Sequence, residues 1–330
     1  MTDSVRVGVL SLHNSKETKA ILNAVEALGH EAEWLRRETV EVGIADGEVA
    51  AEPAVDAVLN RLLLSNTEQP AELLGLARTL LPVAPFLNPP SNVLGAFHKF
   101  AAATALASEG IRVPDALLAL ESRRLNEGRG RFGDRAVYKT AIGTHGGGTW
   151  QVGRDERVNP MVGNRYAFLQ ELLDTDPDER NRDLRVYVVG GEVVGAMFRY
   201  APEEDWRTNV ALGGDVEGVS PADLPAEAAS FAVNAAGAVG LDYAGVDLVE
   251  GPEGWYVLEV NPTAGFRGLF RATGVNPAPH IAALGIERAG GAVADGAVAD
   301  LEPSLNASEP DWLDRPVEPE PAVPRTVGYT

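Results

Sequence analysis

The chain has 330 residues and a formal net charge of −20, because 48 acidic residues outnumber 28 basic ones. This length leaves room for two or three packed units with a sizeable core. The sequence contains no cysteine, which excludes disulfides, thiolate zinc sites and cysteine nucleophiles. Since a polyanion would have to approach against the protein's own field, we predict no nucleic-acid partner.

Lysine is scarce in this sequence. The 28 basic residues include four lysines, namely Lys16, Lys19, Lys99 and Lys139. An acidic, lysine-poor composition fits a surface adapted to high salt, so a halophilic source is a hypothesis from composition. A lysine that persists against this bias is more readily given a specific role.

The amino-terminal segment MTDSVRVGVL is patterned as a strand and shows no basic leader. No uninterrupted apolar stretch reaches the length that a membrane-spanning helix needs. We therefore predict a soluble cytoplasmic protein without a membrane partner.

The first ninety residues alternate between strand and helix patterns. Strands are predicted at 5–10 and 55–62, and helices at 16–28, closed by Gly29, and at 71–80. Such alternation is typical of an α/β unit with a small sheet. The Asn-Pro-Pro-Ser sequence at 88–91 interrupts the pattern, so we place a domain boundary near residue 90.

The pattern then changes. A helix over 101–108 stops at Gly110, and residues 135–261 read as paired strands joined by glycine-rich turns, which predicts an antiparallel α+β region. A last helix begins at Asn276 as its cap and runs to about residue 288. Residues 289–330 are rich in alanine, glycine, proline and acid, so we predict a disordered tail.

A glycine-rich segment follows Lys139 and reads KTAIGTHGGG. Glycines let backbone N–H groups wrap phosphate oxygens, and a lysine at the strand end neutralises charge. The segment is no Walker loop, because no Lys-Ser/Thr follows the last glycine, and no Rossmann fingerprint, because no helix follows. A flexible hairpin tip is the alternative interpretation.

The hairpin around Gly251–Gly254 has a predictable register. If the turn has three residues with Gly254 in the left-handed region, Gly251 pairs with Trp255. This register places Asp247 directly opposite Glu259.

Asn261 falls on the same face as Asp247 and Glu259, because strand side chains alternate with a period of two. Three converging oxygen-bearing side chains suit Mg²⁺, which keeps several waters and takes further ligands from phosphates. A solvated hairpin face with ordinary acids is the alternative, but it leaves Asn261 unexplained.

Arginines recur along the preceding strands, at Arg185, Arg199 and Arg207. Singly, each is more readily a surface partner of a nearby acid. Together they offer rigid bidentate donors for a triphosphate and for an acyl phosphate.

Three segments carry a resemblance to the ATP-grasp superfamily, and within it to the RimK-like ligases, over roughly residues 85–288. They are HKFAAATALASEGIRVP, RDLRVYVVGGEVVGAMFRYAPEEDWRTN and LDYAGVDLVEGPEGWYVLEVNPTAGFRGLFRATGVN. The resemblance implies an ATP-grasp fold, α/β and α+β, with a Rossmann-like pre-ATP-grasp domain at 1–90. A central subdomain would span 91–170, with the lysine helix and glycine loop, and a carboxyl-terminal subdomain with the metal and phosphate site would span 171–288.

The resemblance also implies an ATP site. Lys99 and Lys139 would contact the α and β phosphates, and 143–148 would form a mobile phosphate loop. The strand Gln170-Glu171-Leu172-Leu173 would read the adenine edge. The full nucleotide set is Lys99, Lys139, Gly143, Thr144, Gly146, Gly147, Gly148, Gln170, Glu171, Leu172, Leu173, Asp183 and Arg185.

The implied catalytic residues are Arg199, beside the γ-phosphate and acyl phosphate, with Arg207 and Asn209 next to it. Two Mg²⁺ ions, for which Mn²⁺ is expected to substitute, would be held by Asp247, Glu259 and Asn261.

The resemblance implies that the amino-terminal domain helps to bind the carboxylate substrate, for which Arg61, at the end of a strand, is the candidate contact. Arg267 is a second candidate substrate contact. The segment 262–268 has Arg267 where RimK-like glutamate ligases usually carry an acid, and Arg271 follows one turn later. A more cationic pocket suits an anionic amino acid such as glutamate, or a polycarboxylate acceptor.

The implied reaction joins a carboxylate acceptor to an amino-acid donor, either small or carried by a protein. The carboxylate attacks the γ-phosphate to give an acyl phosphate and ADP, and the amine then displaces phosphate. A kinase that stops after phosphorylation and a non-catalytic ATP-binding module are the alternatives. Relatives commonly form dimers and tetramers, so we expect a homo-oligomer.

Overall fold

The computed structural model describes residues 4–64, 70–143, 148–173, 180–202, 206–208 and 214–301. These residues form one parallel sheet, two antiparallel sheets and a separate two-stranded hairpin. The predicted succession of an α/β unit and an antiparallel α+β region is confirmed. Within the described ranges, no helix combines the length and apolarity needed to cross a membrane.

The amino-terminal unit contains a four-stranded parallel sheet of order β2-β1-β5-β6. Its elements are β1 (Arg6–Leu10), α1 (Lys16–Ala27), β2 (Glu31–Leu35), β3 (Glu41–Ala45), β4 (Glu48–Glu52), β5 (Ala57–Asn60), α2 (Pro70–Thr79) and β6 (Phe86–Leu87). Helix α1 starts where the Ser15 hydroxyl accepts the Thr18 amide hydrogen, and it buries Ile21 and Val25. It ends before Gly29, whose φ of 87° only glycine adopts readily.

The hairpin β3–β4 was not predicted. Its turn is Asp46-Gly47, and both residues have positive φ, 52° and 86°. These values identify a type I′ turn, for which Asp-Gly is a preferred sequence. The flanking strands are short and largely exposed, so their hydrophobic alternation is weak.

The second sheet is antiparallel, with order β10-β11-β8-β9 and β7 paired to β11. Its part of the chain contains α3 (Pro90–Phe97), α4 (Lys99–Ser108), β7 (Ala116–Leu117), α5 (Ser122–Gly128), β8 (Arg135–Thr140), β9 (Thr149–Gly153), β10 (Met161–Val162) and β11 (Arg165–Glu171). One face of this sheet packs around Leu125, Ala136 and Leu169. The other face carries Val137, Lys139 and Gln170 toward a cavity.

The third sheet is antiparallel, with order β14-β13-β12-β15-β16. It comprises β12 (Arg182–Val189), β13 (Glu192–Tyr200), β14 (Asp215–Val219), β15 (Tyr243–Gly251) and β16 (Gly254–Asn261), together with α6 (Ala226–Ala238), α7 (Arg267–Thr273) and α8 (Ala278–Arg288). Helix α6 covers one face through small residues such as Ala228, Ala232 and Ala235, which are fully buried. The opposite face of this sheet lines the cavity.

Three helices make contacts across the boundaries of the predicted domain division, which itself stays a prediction. Helices α3 and α4 contact β16 of the third sheet, although the division places them with the second. Helix α8, assigned to the carboxyl-terminal subdomain, packs on α1 and β5. Its buried side chains, Ile281, Ala282 and Ile286, complete the core of the amino-terminal sheet. A four-stranded sheet needs cover on both faces, and α8 supplies part of that cover.

The predicted tail begins with residues that pack. The carbonyl of Ala292 lies 3.2 Å from the ring nitrogen Nε2 of His30, and Val293 contacts the amino-terminal core. Residues 302–330 lie outside the described part of the chain.

Asn88 joins the amino-terminal sheet to the third sheet. It is fully buried, and its φ of 57° lies in the left-handed region, which asparagine tolerates. Its side-chain oxygen accepts the amide hydrogens of Asp242 and Tyr243 at 2.8 and 3.2 Å. Its side-chain nitrogen donates to the carbonyls of Tyr243 and Pro262 at 2.8 and 3.0 Å. The Asn88 side chain therefore uses all of its hydrogen-bond donors and acceptors to join the two sheets.

We expect Asn88→Ala to lower the free energy of unfolding by about 3 kcal/mol, because it leaves several buried backbone groups without partners. Urea unfolding followed by circular dichroism measures this change. The control is Asn234→Ala, which removes an exposed asparagine bonded only to Ser230. Equal stability of Asn88→Ala and the control would show that the joint contributes nothing.

Candidate active site

One cavity of about 1280 Å³ lies where the amino-terminal unit and the two antiparallel sheets meet. Every predicted site residue that the structure describes lines this cavity. They are Arg61, Lys99, Lys139, Gly143, Gly148, Gln170, Glu171, Leu172, Leu173, Asp183, Arg185, Arg199, Arg207, Asp247, Glu259, Asn261 and Arg267. Thr144, Gly146, Gly147 and Asn209 lie outside the described residues.

The β15–β16 hairpin places Asp247 opposite Glu259, as predicted, but by a different route. The predicted pairing of Gly251 with Trp255 is wrong, because the turn has two residues and Gly251 pairs with Gly254. Leu258 is an extra residue in β16 that shifts the register by one. Asp247 therefore pairs with Glu259 instead of with Leu258. Gly254 has a positive φ of 108°, so the turn does depend on glycine there.

The bulge also changes which side chains reach the cavity. Val257 packs in the core, whereas Leu258 and Glu259, two consecutive residues, both line the cavity. A regular strand would have sent one of them to the opposite face. The irregularity therefore places an apolar and an acidic group side by side.

Asp247 is the centre of a buried ionic network. Arg185 donates to both carboxylate oxygens at 2.6 and 2.7 Å, and Arg199 lies 3.0 Å from Oδ2. Asn261 donates its side-chain N–H to Oδ2 at 3.2 Å. Burial would raise the pKa of Asp247, but Arg185 and Arg199 outweigh it and lower the pKa to about 2.

Asp183 extends this network on the neighbouring strand. Arg199, which is 4% exposed, donates to Asp183 through Nε at 2.6 Å and Nη2 at 2.5 Å. The Thr208 hydroxyl donates to the same carboxylate. Arg199 on β13 is thus shared between Asp183, its direct cross-strand partner on β12, and Asp247 on β15.

The two cavity lysines come from different elements. Lys99 is the first residue of α4, and its Nζ forms an ion pair with Glu259. Its backbone N–H donates to the Ala141 carbonyl at 2.7 Å, which ties α4 to the end of β8. Burial and, secondly, the charge of Lys99 lower the pKa of Lys139 to about 8. His98 caps α4 by accepting the Ala101 amide hydrogen at 3.1 Å.

Thr140 packs against both ends of the glycine-rich segment. Its backbone N–H donates to the Gly148 carbonyl at 2.8 Å. A Cβ on Gly143 or Gly148 would lie 2.9 or 2.2 Å from Thr140 Oγ1, so both positions require glycine. That hydroxyl oxygen is buried and has no hydrogen-bond partner in the described structure. A polar atom left unmatched in a cavity wall fits a ligand that completes it.

The strand end at 170–173 forms another wall. Gln170 is 4% exposed, and the Glu171 amide donates to the Asp115 carbonyl at 2.7 Å. The Glu171 carboxylate in turn accepts the Asp115 amide hydrogen at 3.3 Å, so both the backbone and the side chain of Glu171 tie this strand end to Asp115.

Several lining residues were not predicted, including Ser11, Ser15, Glu17, Arg135, Gln151, Arg182, Trp206 and Leu258. A period of two from Lys139 back through Val137 would have found Arg135. The Ser11–Ser15 loop follows β1 at the carboxyl edge of a parallel sheet, where ligands commonly bind. The position of Leu258 depends on the bulge, and no local sequence pattern predicts that bulge.

The donor set fits Mg²⁺ only together with a ligand. The described residues contain no group of three acidic or histidine side chains able to hold a metal by themselves. Asp247, Glu259 and Asn261 supply two carboxylates and one amide oxygen on one face. Mg²⁺ takes few protein ligands and completes its shell with water and phosphate oxygens, so this set suits a metal that arrives with a nucleotide.

Comparison with known proteins agrees with this arrangement. The model of the RimK-like ATP-grasp domain matches residues 96–284. The tetrahydromethanopterin:alpha-L-glutamate ligase of Methanocaldococcus jannaschii is 32% identical over 205 residues, 60% of this chain and 68% of that protein. A probable alpha-L-glutamate ligase of Stenotrophomonas maltophilia is 30% identical over 290 residues, 84% of this chain and 97% of that protein.

A solved structure shares the fold. The ATP-grasp ligase PsnB, complexed with a phosphomimetic variant of its minimal precursor, Mg and ADP, has a TM-score of 0.66 at 21% identity, covering 88% of this chain and 100% of that one. The similarity therefore includes the amino-terminal unit as well as both antiparallel sheets. With the family match over more than half of the chain, these findings show that this protein is an ATP-grasp ligase of the RimK-like family.

Proposed function

We propose that this enzyme uses ATP to join an amino acid, glutamate or a similar one, to a carboxylate acceptor through an acyl phosphate, releasing ADP and phosphate. The observation that carries the proposal is the convergence of two lysines, the Asp247 network and unpaired arginines in a single cavity. The names of the glutamate ligases among its relatives support the same chemistry.

ATP would span the cavity from the strand end at 170–173 to the Asp247 network. Leu258 and Val137 offer apolar surfaces for the base, on facing sheets. Lys99 and Lys139 supply positive charge for the phosphates, and the unmatched Thr140 hydroxyl lies between the ends of the glycine-rich segment. Lys99 would exchange its contact with Glu259 for a phosphate oxygen.

Asp247, Glu259 and Asn261 would hold Mg²⁺, which when bound offsets the charge of the phosphates and of the attacking carboxylate. Arg185 and Arg199 are held in place by their acids. They would therefore be preorganised to bind the reacting phosphate. The acceptor carboxylate oxygen attacks the γ-phosphorus and ADP leaves. The ammonium group releases one proton, and the neutral amine nitrogen then attacks the acyl carbon. The acyl C–O bond breaks as phosphate departs with the electron pair, and the second amine proton passes to phosphate or water.

The size of the cavity favours ligation over simple phosphorylation. At about 1280 Å³ it exceeds the range of about 300–1,000 Å³ that is typical of a small-molecule site. A cavity of this size, which Arg61 and Arg267 also line, can hold further substrates beside ATP.

The decisive experiment supplies the protein with Mg-ATP, glutamate and a small-molecule extract at high salt, and follows ADP release and new masses. A product heavier by one condensed amino acid, with ADP, establishes the ligase and identifies its acceptor. A gain of one phosphate without the amine would instead show a kinase. With no turnover on the extract, a protein or carrier-bound acceptor is tested next.

Glu259→Gln should lower ADP formation by at least about a hundredfold, because the carboxylate that binds metal and orients Lys99 becomes neutral. A coupled assay of ADP release measures this loss. Asp247→Asn should be equally inactive but also less stable, since it leaves Arg185 buried with a weaker partner. The control is Glu253→Gln at the exposed hairpin tip. Turnover retained by both cavity variants would refute the metal assignment.

The affinity for Mg-AMPPNP should fall about tenfold between pH 7 and pH 9. The pKa of Lys139 is about 8 in the free protein, and a bound phosphate favours the charged form, so binding takes up a proton that becomes scarce above pH 8. Calorimetric titration measures the affinity at each pH.

Lys139→Arg should bind with little pH dependence in this range, because arginine stays charged. Lys19→Arg, on α1 outside the cavity lining, is the matched control and should keep the wild-type slope. If Lys139→Arg also keeps that slope, the titrating group is another residue.

A further inference from the structure

Part of the cavity lies at the amino-terminal sheet, where the strand order reverses between β1 and β5. Strand β1 leads through α1 to β2 on one side, and β5 leads through α2 to β6 on the other. In parallel α/β sheets, ligands bind in the crevice outside the carboxyl ends of the strands at such a point. Here the crevice is bounded by the Ser11–Ser15 loop and by Arg61, and both line the cavity.

Arg61 is a buried cation without a neutralising acid. It is 8% exposed, its Nε has no hydrogen-bond partner, and among the described residues no carboxylate lies within ion-pair distance of it. Its charge partly offsets the effect of burial, which raises the pKa of the Tyr243 hydroxyl. Burying an unpaired charge is costly, so this position makes physical sense when an anion occupies the cavity.

Arg267 approaches the same cavity from the start of α7. Its Nε is likewise buried and unpartnered, and it forms no ion pair within the described ranges. Arg185 and Arg199, in the same cavity, are fully matched by Asp247 and Asp183. The cavity lining therefore includes two arginines whose charge is matched by acids and two, Arg61 and Arg267, whose charge is not matched among the described residues.

Glu17 provides a negative charge in the lining of the same cavity. It lies in the first turn of α1, is 8% exposed and lines the cavity. Its Oε1 lies 3.0 Å from where a Cβ on Gly265 would sit, so Glu17 is close to the loop that leads into Arg267. Ala264, the residue before Gly265, packs over Gly245, which pairs with Asn261. Glu17 thus lies one loop away from the proposed metal ligands.

We propose that Glu17, Arg61 and Arg267 form the subsite for the amine substrate, an amino acid with a free ammonium group and two carboxylates. Glu17 accepts hydrogen bonds from the ammonium group, and the two arginines bind the carboxylates. The ammonium nitrogen is thereby held on the side of the crevice nearest to the sheet that carries Asp247. This assignment rests on the proposed ligase function, and it deepens that function by locating the amino acid against the amino-terminal unit.

The test is calorimetric titration of L-glutamate and of N-acetyl-L-glutamate, which lacks the ammonium charge, into protein saturated with Mg-AMPPNP. Glu17→Gln should weaken glutamate binding about ten- to a hundredfold, the effect of losing one charged hydrogen-bond partner. It should leave the weaker N-acetylglutamate binding unchanged. Arg267→Met should weaken both ligands, because both carry the carboxylates.

Two controls separate this effect from general damage. Glu26→Gln, on an exposed position of α1, and Arg124→Met, on an exposed position of α5, should bind both ligands as the wild type does. A merely structural role for Glu17 would weaken both ligands equally, and that result would overturn the proposal. So would glutamate binding that Glu17→Gln leaves intact, or wild-type protein that binds no glutamate.

The nucleotide titration keeps this test separate from the proposed function. If Mg-AMPPNP binds and the extract assay yields an amide product, but Glu17→Gln binds glutamate normally, the subsite is wrong and the ligase stands. If Mg-AMPPNP fails to bind, the proposed ATP-dependent function itself is wrong.

Discussion

The folded third sheet buries the charge of Asp247, and this burial is tolerable only if the charge is neutralised. The residue is 5% exposed, and a carboxylate at that depth is tolerable only with hydrogen-bonded cations beside it. Arg185 and Arg199 provide them, and Asp183 balances the second arginine, so two acids and two arginines form a block without net charge. Because these four side chains neutralise one another, they attract a triphosphate only weakly. Metal ions and the two lysines would have to compensate the phosphate charge. Binding of nucleotide and of metal are therefore expected to depend on each other.

The cavity contains two kinds of arginine, those held by acids and those without an acid among the described residues. Arginines held by acids cannot swing freely, and such fixed donors suit a transition state whose geometry does not vary. Arg61 and Arg267 lack acids among the described residues and so retain their full attraction for an anion. In a chain with a net charge of −20, this local excess of positive charge would draw an anionic substrate to one end of the cavity. On the proposed function, selectivity for substrate and stabilisation of the reaction would rest on different arginines.

The sequence was sufficient to predict the strands that carry the site, because each alternates between a core face and a cavity face. The opposition of Asp247 and Glu259 was predicted correctly although the turn was wrong, since a two-residue turn and the bulge at Leu258 compensate in the register. Neither is encoded locally, because a bulge is selected by how both faces of the sheet pack. The packing partners of α3, α4 and α8 are likewise not encoded locally. A helical pattern reveals an apolar face but not which sheet that face will meet.

The position of Arg61 relative to the proposed metal ligands depends on the joint at Asn88. Asn60, the residue before Arg61, donates its side-chain N–H to the Asn88 carbonyl at 3.0 Å, and its own carbonyl accepts from the Tyr243 hydroxyl at 2.7 Å. Asn88 in turn binds the carbonyl of Pro262, the residue after Asn261. A short chain of buried hydrogen bonds therefore connects the backbone beside Arg61 to the backbone beside the proposed metal site. Reacting groups on two substrates must meet to within fractions of an ångström, and a loop-mediated connection would not hold them so closely. Local displacement at Asn88 should therefore impair turnover of two bound substrates more than the binding of either one alone.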